Sequence, residues 1–209
     1  VSAGDMEADG FSTDSDSNVL RGDLSFGSVD ASIGYIIDDA ANTAEQLSIS
    51  AGASFGAISL AAAYQEETAF VDAEGDFNGD EIFGVSASGT FAGATVTVAY
   101  AENSTDAIDS TGIKIAYPFG PVTATAYYVA EDGAAGDDDN LGLNVAYADG
   151  PIAASVDWQD DQGTTKWAVE GSYDVGNGIS VFAGIENQNE GDDADYYVGA
   201  TYDLGGGAE

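Results

Sequence analysis

The sequence predicts an all-β protein, an antiparallel up-and-down sheet closed into a transmembrane β-barrel. Three observations predict it. Apolar residues recur with a period of two, not the roughly 3.6 of a helix. Short glycine turns alternate along the chain with acidic segments. Aromatic residues gather at both ends of the predicted strands and leave Val, Ile, Leu and Ala between them.

Taken in chain order, the first predicted hairpin turns at SFGSVD (25–30). The next, LSISAGASFGAISLAAAYQE (47–66), shows the pattern most plainly. Leu47, Ile49, Ala51, Ala53 and Phe55 alternate with Ser48, Ser50, Gly52 and Ser54. Beyond Gly56, Ile58, Leu60, Ala62 and Tyr64 alternate with Ser59, Ala61, Ala63 and Gln65. This is a pair of strands with one apolar face and one face of small or polar residues. EIFGVSASGTF (81–91) sets Phe83, Val85, Ala87 and Phe91 against Gly84, Ser86, Ser88 and Thr90. TVTVAY (95–100), GLNVAY (142–147) and KWAVEGSYDV (166–175) alternate in the same way. Gly and β-branched residues fill these segments, which argues against helix. Further turns fall at FAGATV (91–96), PFGPVT (118–123), ADGPIA (148–153), VGNGIS (175–180) and LGGGAE (204–209). Their spacing of roughly 30 residues marks a repeat. The intervening acidic segments, such as IDDAANTAEQ (37–46), QDDQGTTK (159–166) and NQNEGDDAD (187–195), read as longer loops. The count is about 13 strands of roughly 8–11 residues, a length that suits a tilted membrane-spanning strand.

Phe26, Phe55, Phe91, Phe119, Tyr147, Tyr173 and Tyr202 stand just before the glycine turns. Tyr35, Tyr64, Tyr100, Tyr127, Tyr128 and Trp158 stand where the acidic segments begin. Aligned up and down, they form two belts around an apolar band, the expected exterior of a membrane barrel. Rings with one polar edge suit the boundary between water and lipid. An open sheet edge is not tolerated in hydrocarbon, so such strands must close.

Composition limits the chemistry. The chain of 209 residues carries 3 Lys+Arg, 38 Asp+Glu and no His, a formal charge of −35. Phosphate is repelled by that charge, so nucleic acid is excluded as a partner. With no Cys and no His, disulfides, the common catalytic triads and most transition-metal sites are excluded. No carboxylate pair stands out as catalytic, so the expectation is a protein that is not an enzyme and requires no cofactor. The chain starts at Val1, and no signal peptide is visible.

Arg21, Lys114 and Lys166 fall on the polar parity of their strands, as do Asp23, Asp157, Glu170, Asp174 and Asp203. In a barrel these charges point inward. Acids and bases held apart impose a field on passing solutes, and the excess of acids predicts a preference for cations. The segment DAEGDFNGDE (72–81) spaces oxygen side chains at Asp72, Glu74, Asp76, Asn78 and Asp80. That spacing suits Ca²⁺, although the complete EF-hand pattern is missing. GDDDN (136–140) and GDDAD (191–195) are weaker versions of the same kind.

The end of the chain, YYVGATYDLGGGAE (196–209), resembles porins of the alphaproteobacteria, of the photosynthetic purple-bacterial kind. SNVLRGDLSFGSVDASIGY (17–35) and the repeated AAAY and FG hairpins are similar to the same family. The resemblance implies an outer-membrane general diffusion porin, with about 16 strands in the complete chain. It also implies a homotrimer in lipid and lipopolysaccharide, passing small hydrophilic solutes and cations. The family narrows its pore with an inward-folded acidic loop faced by basic residues, and it often carries calcium. Residues 1–18 resemble the end of that loop, and residues 19–209 the barrel. On this carry-over Asp5, Glu7, Asp9, Asp14 and Asp16 lie near the eyelet, and Arg21 is one of the bases that face them. Two departures are plain. The chain has too few bases for the family's arginine cluster, and it ends in Gly205-Gly206-Gly207-Ala208-Glu209 with no terminal aromatic strand. Both imply chain missing at each end.

The alternative is a soluble, acidic, calcium-binding β-sandwich of a surface or adhesion protein, whose strands also alternate. A contiguous exposed band of Tyr, Phe and aliphatic residues would then need covering.

Overall fold

The computed structural model describes residues 18–37, 44–67, 81–133, 136–188 and 193–203. They form thirteen antiparallel strands, ordered in the sheet as in the chain. The first six are β1 (Asn18–Phe26), β2 (Val29–Ile37), β3 (Ala44–Phe55), β4 (Ile58–Glu67), β5 (Glu81–Phe91) and β6 (Ala94–Asn103). Then come β7 (Ile108–Phe119), β8 (Val122–Gly133), β9 (Gly136–Asp149) and β10 (Ile152–Asp161). The last are β11 (Thr164–Gly176), β12 (Ile179–Asn187) and β13 (Asp195–Tyr202).

The chain divides into two compact units. One holds the described residues up to Ile113 together with Val129–Gly133 and Gly136–Asp138. In it β1 to β6 pair successively, and Phe26↔Val29, Phe55↔Ile58 and Phe91↔Ala94 close two-residue turns. Gly27 and Gly56 take positive φ at the first turn position, the pattern of a type II′ hairpin. Ala92 and Gly93 both have positive φ, the type I′ pattern.

The other unit holds Lys114–Tyr128 and the described residues from Asp139 onward. Here β9 to β13 pair successively. Asp149↔Ile152 closes a Gly150–Pro151 turn, and Gly176↔Ile179 closes an Asn177–Gly178 turn. Pro151 sits where it donates no ladder hydrogen bond. At five tight turns the carbonyl of the second residue accepts a backbone hydrogen bond from the third strand. The pairs are Ser54 to Ser28, Thr90 to Ala57, Ala148 to Pro121, Asp174 to Pro151 and Asp203 to Gly178, at 2.7–3.3 Å.

Two expectations about the acidic segments are corrected. QDDQGTTK is not a longer loop: Asp161↔Thr164 pair directly, leaving the two-residue turn Gln162–Gly163. GDDDN is not a loop either, because it opens β9 and Asn140 pairs with Asp161. Strands therefore run longer than expected, to 14 residues in β9 and 13 in β11. Backbone pairing needs no apolar side chain, so the ladder continues into acidic sequence. The seventh glycine turn, at 204–209, lies outside the described residues.

The burial pattern is inverted relative to a water-soluble domain. The exposed large hydrophobic residues share one parity of each strand: Leu24, Ile49, Leu60 and Val85 in the first unit, Val145, Val156, Val169 and Val198 in the second. Val198 is 84% exposed. The buried residues are largely polar, among them Asn103 and Ser110 in the first unit and Asn140, Asp157 and Gln159 in the second. Polar groups buried in this way need hydrogen-bond partners, and apolar groups exposed in this way need a solvent other than water.

Candidate functional site

The polar face of the first unit is a field of hydroxyls. Residues opposite one another in register bond side chain to side chain. Ser32 and Ser50 lie 2.6 Å apart, Ser54 and Ser59 3.2 Å, Ser88 and Thr97 3.1 Å, and Thr90 and Thr95 3.2 Å. A hydroxyl both donates and accepts, so such rows keep a wall wettable without fixing charge. At its margin Arg21 Nε donates to Asp23 Oδ1 at 2.8 Å, with both side chains exposed. On the opposite, apolar parity, at the strand ends, Tyr64 donates to Glu66 at 2.9 Å and Glu81 at 3.1 Å, and Tyr100 donates to Glu102 at 3.0 Å.

The polar face of the second unit is built from charge and rings. Lys166 stands opposite Gln159 and bonds to Asp161 on the same neighbouring strand. Asn144 donates to its cross-strand partner Asp157 at 2.7 Å. Tyr197 on β13 reaches across Gly184 of β12 and donates to Glu170 Oε2 of β11 at 2.8 Å. Phe182 lies beside it, with ring centroids 6.3 Å apart and planes at 55°. Tyr127 is 2% exposed, against the backbone of Gly142, where an added Cβ would come within 2.1 Å of the ring.

One face of each unit thus asks for lipid and the other for water. The model of the Gram-negative porin family matches residues 2–209. The chain belongs to that family. It is therefore a channel protein of the bacterial outer membrane, not an enzyme. Its fold is similar to an engineered variant of Rh. blastica porin, with TM-score 0.65 and 18% identity over 90% of this chain and 77% of that one. It is also similar to a porin structure refined at 1.8 Å, with TM-score 0.66 and 18% identity over 86% and 79%. No curated protein matches the sequence significantly.

In this porin the expected wall residues fall on the polar parity of their strands. Arg21 and Asp23 pair with each other. Lys166 and Glu170 share a face of β11 but lie about 13 Å apart along the strand, and each takes a different partner. Lys114 is half-buried on the polar parity of β7. The expected eyelet residues Asp5, Glu7, Asp9, Asp14 and Asp16 lie outside the described residues. So do the expected calcium ligands Asp72, Glu74, Asp76, Asn78 and Asp80.

One aromatic assignment is corrected. Tyr127 does not belong to the belt with Tyr128. Neighbours on a strand point to opposite faces, so Tyr128 is exposed on the apolar side while Tyr127 is buried on the polar one. Phe182, Tyr197 and Asp161 went unnoticed in the sequence. Their signal was the parity they share with Gly184, Gly199 and Gln159.

Proposed function

We propose that this porin forms a water-filled pore for passive diffusion of small hydrophilic solutes, with a preference for cations. One observation carries the reading: the same strands present exposed aliphatic residues on one parity and hydrogen-bonded polar residues on the other. Cation preference is supported by the formal charge of −35 and by the pairing of Arg21 and Lys166 with acids, which offsets the attraction those bases hold for anions. Glu170 and Asp174 supply negative potential along the polar face. The apolar faces meet outer-membrane lipid and lipopolysaccharide, and three copies assemble through them. Ca²⁺ binds the carboxylates of 72–80, whose alternating oxygens suit a hard cation.

The test is the zero-current potential of the purified protein in a planar bilayer under a KCl gradient. The expected sign is that of K⁺ passing faster than Cl⁻, and Glu170→Gln with Asp23→Asn moves it toward zero. Equal or greater passage of Cl⁻ would remove the cation preference, and an insulating bilayer would remove the pore.

A further inference from the structure

We propose that Phe182, Tyr197 and Glu170 form a binding shelf for small organic ammonium ions on the pore wall, an inference that rests on the pore reading above. The two rings come from adjacent strands and lie down on each other's glycines. A Cβ on Gly184 would come within 2.4 Å of Tyr197 Cζ, and a Cβ on Gly199 within 2.4 Å of Phe182 Cζ. The glycines therefore open two slots that the outer ends of the rings occupy. Both residues remain half-exposed on the polar face. The 55° between their planes makes an open angle of two π surfaces.

A carboxylate stands at the edge of this angle. The hydroxyl of Tyr197 holds Glu170 at 2.8 Å, and the Glu170 side chain is exposed. One hydrogen bond leaves a carboxylate most of its acceptor capacity. The next cross-strand row carries Asp157 and Glu186, also acidic and on the same face. Lys166 is about 13 Å along β11 and is bonded to Asp161.

Ring faces and a carboxylate together select the ligand. An anion is repelled. A hard metal ion prefers six or more oxygens and gains little from a ring. A weakly hydrated alkylammonium gains from both, since cation–π attraction grows as the cation sheds water. A sugar could also stack here, and the test includes one.

The protein purified from outer membranes is titrated in detergent with tetramethylammonium chloride, NaCl and maltose by calorimetry, and its conductance is recorded in bilayers with the same solutes. Tetramethylammonium is expected to bind, with NaCl a poor competitor and maltose silent. Phe182→Leu and Glu170→Gln should each weaken binding about tenfold. Leu still covers Gly199 and Gln still accepts from Tyr197, so a role confined to filling the slots predicts no change in either. If Phe182→Leu fails to fold, Glu170→Gln alone decides. Absence of tetramethylammonium binding, affinity unchanged in both variants, or ring-dependent binding of maltose instead would overturn the shelf. Conduction without ammonium binding sinks the shelf and leaves the pore; binding without conduction sinks the pore reading instead.

Discussion

A ring laid on a glycine of the next strand is the smallest repeated device of the polar face. Tyr127 with Gly142, Tyr197 with Gly184 and Phe182 with Gly199 all use it. In each, the missing Cβ leaves the space the ring fills. Gly142→Ala should therefore destabilise the protein by about 1–3 kcal/mol, the usual cost of overpacking. The same change made with Tyr127→Ala should cost far less. Urea unfolding of the single and double variants in lipid vesicles measures this, and equal penalties in both backgrounds would show that the ring is not the obstacle. Gly84→Ala is the control: its added Cβ meets nothing nearer than 3.7 Å. At this scale the sequence was half legible. Tyr127-Tyr128 and Tyr196-Tyr197 are adjacent pairs, and a period of two must send one ring of each to either face. Which glycine receives the inward ring depends on cross-strand register, which composition does not reveal.

The hairpins were legible because glycine turns are chemically specific. Gly120 and Gly178 both have positive φ, but their surroundings differ. Nothing lies within 4 Å of a Cβ at Gly120, whereas one at Gly178 would stand 2.7 Å from the carbonyl of Asp203. Gly120→Ala should cost about 1–2 kcal/mol, for the left-handed backbone alone. Gly178→Ala should cost more, because it also forces apart the backbone bond between Asp203 and Gly178. Comparing the two unfolding midpoints checks the order, and the reverse order would contradict the clash. The Gln162–Gly163 turn was hidden because Asp160, Asp161 and Gln162 look like loop. Those acids sit on a paired strand end, and hydrophilic sequence there records contact with water, not absence of structure.

Over the whole molecule the strongest statement is which side meets lipid. Ala61 and Ala62 test it cleanly, being adjacent, both exposed and on opposite faces of β4. Ala62→Arg should cost about 2–4 kcal/mol of folding free energy in vesicles, as an arginine facing the bilayer midplane does. Ala61→Arg should stay within about 0.5 kcal/mol. A larger penalty at Ala61 would reverse the faces. This level was the most legible of all, because an aliphatic face repeated on hairpin after hairpin is stable against lipid and not against water. The charge pairing was least legible: Lys166 shares a face with Glu170 in sequence, yet it bonds across the strand pair to Asp161.

The hydrogen bond from each third strand to the carbonyl of a preceding turn has an evolutionary consequence. Among the described residues each strand takes its chain neighbours as its partners in the sheet, and five turns are fastened in the same way. A duplicated hairpin would arrive with a fastening ready for the strand that follows, and a deleted one would leave an equivalent seam behind. Relatives of this chain can therefore gain or lose length two strands at a time, and the hairpin is the natural unit of their divergence.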